Sequence, residues 1–258
     1  MTSNEKYVWV TFINNKNYLD GAHVLAKSLE VVHSKYELII FYPIDFVIEK
    51  NNKLRNITYV PIKQLIYESK NYSRSNYNYC INKIYIWILT QYSKVCWVDS
   101  DMIFLHNSDD IFNCEIEDGQ IAAASGCTCN IFNNSKLSRL PNACPFNNIN
   151  NNMNNIYINT GLLLIKPNIT IYKLLLDANY DYPFSDQDAF NIIFKNKIKV
   201  IDSKYNYINN LEFAHPTCNQ QINIFHFAYG KPWATEKLSD TYNYIYDLWY
   251  KYKSQIIP

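Results

Sequence analysis

The 258-residue chain predicts an α/β domain built on a mixed, mostly parallel central sheet flanked by helices, and three features carry that expectation. Strand and helix patterns alternate from Tyr7 to Pro61. A short apolar run near the middle of the chain ends abruptly in two aspartates. More strand-like and helical segments follow with no Pro/Gly/Ser linker, repeat or second core pattern, so 1–258 reads as a single domain with a loop insertion at about 127–155.

The elements follow in order. Tyr7 to Ile13 (YVWVTFI) is aromatic and β-branched and ends at an Asn-rich turn, which predicts a buried strand. Ala22, Leu25, Ala26, Leu29 and Val32 recur at helical spacing. A second strand is expected over Glu37 to Tyr42, then a helical stretch to about Asn52, then a short strand from Ile57 to Val60 that Pro61 ends. Residues 69–79 are polar and aromatic without a period and read as a surface loop, and Ile81 to Gln91 returns to helical spacing. Val95 to Val98 reads as a buried strand, followed at once by Asp99-Ser100-Asp101 and a further strand, Met102 to Leu105. The low-complexity run 147–155 reads as a loop. Tyr157 to Ile165 is strand-like, Ile171 to Ala178 helical, and Ser185 with Asp188 three residues on predicts a capped helix to Phe194. Ile222 to Phe227 gives a last strand. Tyr242, Ile245, Tyr246, Trp249 and Tyr250 then share one face of a closing helix.

Composition narrows the function. With 24 basic and 23 acidic residues spread along the chain, there is no basic footprint for nucleic acid and no polybasic membrane segment. No apolar run is long enough to span a bilayer, and the N-terminus lacks the basic and apolar regions of a signal peptide, so a cytoplasmic protein is expected. Seven cysteines without regular spacing read as free thiols. Cys127-x-Cys129 with Cys114 and Cys144 lacks the paired C-x2-C knuckle of a zinc site, which disfavours that reading.

The aspartate pair is the strongest chemical signal. A turn at the end of a buried strand lets Asp99 and Asp101 reach one cation, and their hard oxygens suit Mn2+ or Mg2+. Ligands of α/β sheets lie beyond the carboxyl ends of the strands, where this pair falls. His226, inside the apolar INIFHF, is a candidate third ligand, and Gly230-Lys231-Pro232-Trp233 just after it offers a lysine to a diphosphate. Asp186-Gln187 at a helix start is ambiguous alone, because acidic residues belong in first turns. By themselves Lys83 and Arg74 read as ordinary surface bases.

Taken together, these segments resemble the glycogenin-like enzymes of glycosyltransferase family 8, from end to end. The motifs are Asn82-Lys83 and the run from Trp87 through Asp99-Ser100-Asp101, Asn159-Thr160-Gly161, Asp186-Gln187, and His226-Phe227 with Gly230-Lys231-Pro232-Trp233. The resemblance implies a GT-A fold with a Rossmann-like nucleotide-binding half. It implies a retaining transfer of a hexose, by default glucose, from a UDP-sugar, with Asp99, Asp101 and His226 on the metal. Thr11, Asn15 and Tyr18 would meet the uridine, Arg74, Ser100, Gly230 and Lys231 the donor's nucleotide and diphosphate, and Asn159 its sugar. Asp186 and Gln187 would act near the anomeric carbon, and Lys83, nine residues after Arg74, would be a further catalytic residue beside the nucleotide-sugar. A homodimer is also implied. Pro183 stands where the family has a further acidic residue, and no tyrosine lies between Tyr207 and His226 for self-glucosylation. A self-glycosylating primer and a degenerate UDP-sugar binder are the alternatives, and the acceptor is not legible.

Overall fold

The computed structural model describes residues 5–127, 129, 144, 146, 156–215, 221–234 and 240–256. The predicted loop run 147–155 and most of the 127–155 insertion lie outside those residues.

Seven strands form the main sheet: β1 (Tyr7–Phe12), β2 (Leu38–Pro43), β3 (Ile57–Ile62), β4 (Lys94–Val98), β6 (Ile121–Ala124), β7 (Leu162–Ile165) and β8 (Ile198–Ile201). Their spatial order is β3-β2-β1-β4-β7-β6-β8. All neighbours run parallel except β7, which lies antiparallel to both β4 and β6. The inner strands β1, β2, β4, β6 and β7 are buried on both faces, so alternate side chains enter different cores. Trp9, Cys96, Val98, Leu162 and Leu164 pack with α1 (Lys16–Val31) and the C-terminal helix α5 (Asn243–Ile256). Val8, Val10, Val95, Trp97, Leu163 and Ile165 pack on the opposite face, with a 3-10 helix (Ser75–Ile88) and the helices α2 (Ile169–Leu176) and α3 (Asp186–Ile193).

A second sheet decides where the chemistry falls. β5 (Met102–Phe104), β10 (Ile224–His226) and β9 (Tyr207–Ile208) form three strands in the order β5-β10-β9. β4 and β5 are therefore not one bent strand. The chain leaves the large sheet at Val98, turns through Asp99-Ser100-Asp101 and enters the small sheet at Met102. β10 runs antiparallel to β5 with His226 opposite Met102.

Several local expectations fail for identifiable reasons. Residues 44–52 form turns rather than a helix, with Pro43 closing β2 before them. β3 continues through Pro61, because a proline on an edge strand leaves no ladder donor missing. The expected loop 69–79 is partly helical, since the 3-10 helix begins at Ser75. Ser185 occupies the N-cap of α3, yet its side chain makes no capping bond and donates instead to the Tyr77 carbonyl at 3.2 Å. Asp188 accepts from Phe184 N and Tyr157 Oη, so the capping box does not form. Tyr250 is exposed, and Tyr252 and Ile256 complete the buried face of α5. Among the described residues no helix is long and apolar enough to cross a membrane.

Candidate active site

The cleft beyond the carboxyl ends of β1 and β4 has an empty volume of about 900 Å3 including its open mouth. Of the residues singled out from sequence it gathers Tyr18, Arg74, Lys83, Asp99, Ser100, Asp101, Asn159, Asp186, Gln187, His226 and Lys231. Three others sit differently. Thr11 is wholly buried in β1, and its Oγ1 has no partner among the described residues. Asn15 caps α1 by accepting from Tyr18 N at 3.1 Å, and its neighbour Asn14 lines the cleft instead. Gly230 lies outside the lining but takes φ +64°, a left-handed turn suited to glycine that carries the chain from His226 to Lys231.

Asp99, Asp101 and His226 each offer a ligand atom within 4.8 Å of the others. The His226 Nε2 is 3.5 Å from Asp101 Oδ1 and 3.9 Å from Asp99 Oδ2. Its orientation is fixed from behind, where Nδ1 lies 2.9 Å from Asn206 Oδ1. Asn206 Nδ2 donates to Asn159 Oδ1 at 2.8 Å, which identifies the amide oxygen as the partner of His226 and places the imidazole proton on Nδ1. The Nε2 lone pair then faces two carboxylates. Burial lowers the His226 pKa to about 4, so the ring does not form a salt bridge with them at neutral pH. A lone pair facing two carboxylates is repulsive by itself and fits a divalent cation between them.

Glycine makes that arrangement possible. A Cβ on Gly161 would lie 2.7 Å from His226 Nδ1 and closer still to Cε1, so the third residue of Asn159-Thr160-Gly161 is the floor under the imidazole. Gly21 in α1 does the same for the turn: a Cβ there would collide with the Ser100 carbonyl and lie 2.9 Å from the Trp233 ring.

Behind the carboxylates, Lys83 is buried and not a surface base. Its Nζ lies 3.0 Å from Asp186 Oδ2, 3.4 Å from Asp99 Oδ1 and 3.2 Å from Thr160 Oγ1. Burial alone would pull its pKa down, but Asp186 and Asp99 outweigh that and hold it above the usual lysine value. Asp186 Oδ2 also accepts from Thr160 at 2.8 Å. At the mouth, Lys231 reaches Asp101, while burial and the nearby Arg74 guanidinium draw its pKa down to about 7. Arg74 donates to the Ala228 carbonyl and stacks on Tyr229, 4.9 Å from the ring centroid.

A second cleft adjoins the first and shares Arg74, Tyr77, Asn159, Phe184, Gln187 and Ala228 with it. A chain of amide and hydroxyl contacts stiffens the shared wall. Asn159 Nδ2 donates to Gln187 Oε1, Gln187 Nε2 to Tyr157 Oη, and Tyr157 Oη to Asp188 Oδ1, all at 2.7–2.9 Å. Sequence reasoning does not find Asn206 and Tyr157. Neither sits in a motif of its own, and only the fold brings them to the site.

A cleft at the carboxyl ends of a mostly parallel sheet, lined by three aspartates, a neutral histidine and the bases Arg74, Lys83 and Lys231, fits a nucleotide-sugar enzyme. The chain matches glycosyl transferase family 8 over residues 9–237 and belongs to that family. It is a UDP-sugar-dependent glycosyltransferase. Among curated relatives it is 27% identical to galactinol synthase 1 of Solanum lycopersicum, covering 87% of this chain and 73% of the relative. It is likewise 27% identical to galactinol synthase 2 of Arabidopsis thaliana, over 90% and 75%. The GT-A fold is shared with the galactosyltransferase LgtC, at TM-score 0.66 and 16% identity over 97% of each chain. It is shared too with the glycosyltransferase GlyE of Streptococcus pneumoniae, at TM-score 0.61 and 16% identity over 97% of this chain and 60% of that one.

Proposed function

We propose that the protein is a metal-dependent, retaining glycosyltransferase that moves a galactosyl group from UDP-galactose to the hydroxyl of a saccharide or polyol. The convergence of Asp99, Asp101 and the His226 Nε2 lone pair is the observation that carries this reading. These three would hold Mn2+ or Mg2+, which when bound neutralises charge on the departing diphosphate. Galactose replaces glucose as the expected sugar because the relatives include galactinol synthases and a galactosyltransferase.

The chain's own groups supply the rest. Lys231 and Arg74 bring positive charge to the diphosphate side of the cleft, where UDP leaves. Binding a diphosphate raises the Lys231 pKa and completes its charge. Asp186 has committed Oδ2 to Lys83 and Thr160, so its part is to hold the Lys83 ammonium in place beneath the sugar. Gln187, with both ends of its amide engaged, presents a fixed edge between the two clefts. The acceptor enters by the second cleft, whose Tyr157, Tyr182, Phe184 and Tyr229 offer aromatic faces to a sugar or cyclitol ring.

The test is UDP release from a panel of UDP-sugars with and without Mn2+. Fastest release from UDP-galactose, dependent on the cation, is expected. Equal release with and without metal, after exhaustive chelation, would refute the role given to the acidic cluster. A preference for UDP-glucose would refute only the choice of sugar.

A further inference from the structure

Three cysteines and a histidine converge beside the second cleft. Gly126, just past β6, donates its N–H to the Tyr157 carbonyl at 2.8 Å, and the chain then presents Cys127 and Cys129. Cys144 comes to the same point, and so does His215, directly after the short helix α4 (Leu211–Ala214). The sulfurs of Cys127, Cys129 and Cys144 lie 3.3, 3.6 and 3.3 Å from His215 Nε2. Cys127 and Cys144 Sγ are 3.8 Å apart, all four ligand atoms lie within 4.8 Å of one another, and Cys144 and His215 are buried.

Hydrogen bonding does not account for this geometry. An imidazole nitrogen carries one proton or one lone pair and can serve one sulfur, not three. A disulfide would bring two sulfurs to about 2.05 Å, far inside the 3.8 Å between Cys127 and Cys144. A zinc tetrahedron with Zn–S about 2.3 Å and Zn–N about 2.05 Å requires S···S of roughly 3.8 Å and S···N of roughly 3.5 Å. The three S···N separations of 3.3–3.6 Å and the Cys127–Cys144 separation of 3.8 Å match such a tetrahedron.

We propose that Cys127, Cys129, Cys144 and His215 form a closed, four-coordinate structural zinc site that clasps the wall of the second cleft. Three soft thiolates and one borderline imidazole select zinc over the hard cation suited to the aspartates. On binding, the three thiol protons leave to solvent. With four protein ligands there is no open position for water or substrate, so the site is built to hold structure. Cys114, which the sequence suggested as a fourth sulfur, lies elsewhere: its carbonyl accepts from Lys94 Nζ at 3.1 Å and its thiol contacts the Glu115 carbonyl. His215 fills the fourth corner instead.

The location gives the clasp a consequence. Cys127 and Cys129 line the second cleft together with Tyr157, Asn159, Gln187 and Tyr229. The site joins the chain after β6 to the chain after α4. Just ahead of α4, Asn209 bonds both the N–H and the carbonyl of Tyr229. Zinc thereby ties the Cys127–Cys129 wall of the cleft to the segment that holds Tyr229. That consequence for the acceptor rests on the reading of this cleft given above, whereas the zinc site stands on its own geometry.

Metal content of the full chain, purified without chelator and desalted, tests the proposal by inductively coupled plasma mass spectrometry. About one zinc per chain is expected, retained in Asp101→Asn, lost in Cys144→Ser and kept in His215→Cys, which replaces the imidazole by a thiolate that zinc also accepts. Cobalt substitution of the wild-type chain should give thiolate charge-transfer bands and the intense visible absorption of a tetrahedral centre. Wild-type protein that retains no zinc and gives no thiolate–cobalt bands would overturn the proposal even if Cys144→Ser failed to fold. Zinc that follows Asp101 rather than the cysteines would overturn it too, as would an intact mass showing a disulfide among these residues. If the zinc is found while UDP-sugar turnover fails, only the functional reading falls.

Discussion

The two ligand clusters, which flank clefts sharing Asn159 and Gln187, are built in opposite ways. Asp99, Asp101 and His226 are few, two of them hard carboxylates, and all are anchored at strand ends, with His226 seated on Gly161 and oriented by Asn206. Cys127, Cys129, Cys144 and His215 are soft, complete and drawn from segments that follow β6 and α4. Three protein ligands leave room for a diphosphate; four leave room for nothing. On the proposed reading, ligand number and softness separate the two roles: the incomplete set would hold a cation that faces substrate, and the complete one would clasp a wall of the second cleft.

The largest expected effect is at the incomplete cluster. Asp101→Ala should reduce UDP-sugar turnover by roughly 10^3-fold, a loss of several kcal/mol of transition-state stabilisation, with zinc content and melting temperature nearly unchanged. Turnover within tenfold of wild type would remove Asp101 from the mechanism. The complete cluster should respond in the reverse sense. Cys144→Ser should lower the melting temperature by roughly 5–10 °C, as expected for losing about 3 kcal/mol from a domain of this size, while UDP release without acceptor falls much less. Calorimetry and a UDP assay on the same sample separate the two.

Gly161→Ala changes no ligand at all. Its Cβ would collide with His226, so the concentration of Mn2+ giving half-maximal activity should rise by about 10- to 100-fold, and an unchanged Mn2+ requirement would show the floor to be unimportant. Asn206→Ala should do the same more mildly, about tenfold, because the imidazole loses its tautomer-fixing partner but keeps its seat. Both are read from Mn2+ titrations of UDP release.

His23 supplies the smallest test, a buried histidine outside both clusters. Burial lowers its pKa to about 4 against the pull of Asp20 and Glu49, and its Nε2 lies 2.9 Å from the Tyr59 hydroxyl. Its folded pKa is below the unfolded value of about 6.5, so the unfolded chain takes up the proton first. Stability from this residue is therefore present above about pH 6.5 and declines as pH falls toward 4, by at most about 3 kcal/mol. Urea midpoints between pH 7 and pH 5 should decline less in His23→Gln than in wild type; equal slopes would deny the burial effect.

The alternation of Trp9 with Val8 and Val10, and the apolar run that stops at Asp99, are legible in the sequence because strand period and turn chemistry are local properties. So are the residues of the acidic cluster, and the closing helix α5 apart from the exposure of Tyr250. β6 and β8 are not: Ile-Ala-Ala-Ala has no strand preference of its own, and β6 becomes a strand because β7 and β8 pair with it. The 3-10 helix from Ser75 likewise depends on partners distant in sequence, including the Lys83 ion pairs and the Asn82 amide bonds to Leu65.

By itself, then, the sequence determined the fold class, the family motifs and the pair of carboxylates that follows β4, because each is written in spacing within a few residues. Tertiary structure decided what those residues can do. The antiparallel pairing of β5 with β10 carries His226 across more than a hundred residues of chain to Asp101, and Gly161 and Asn206 set its angle. It also exchanged Cys114 for His215 in the sulfur cluster. Ligand sets are closed by contacts between distant segments, and no local pattern encodes which distant side chain arrives.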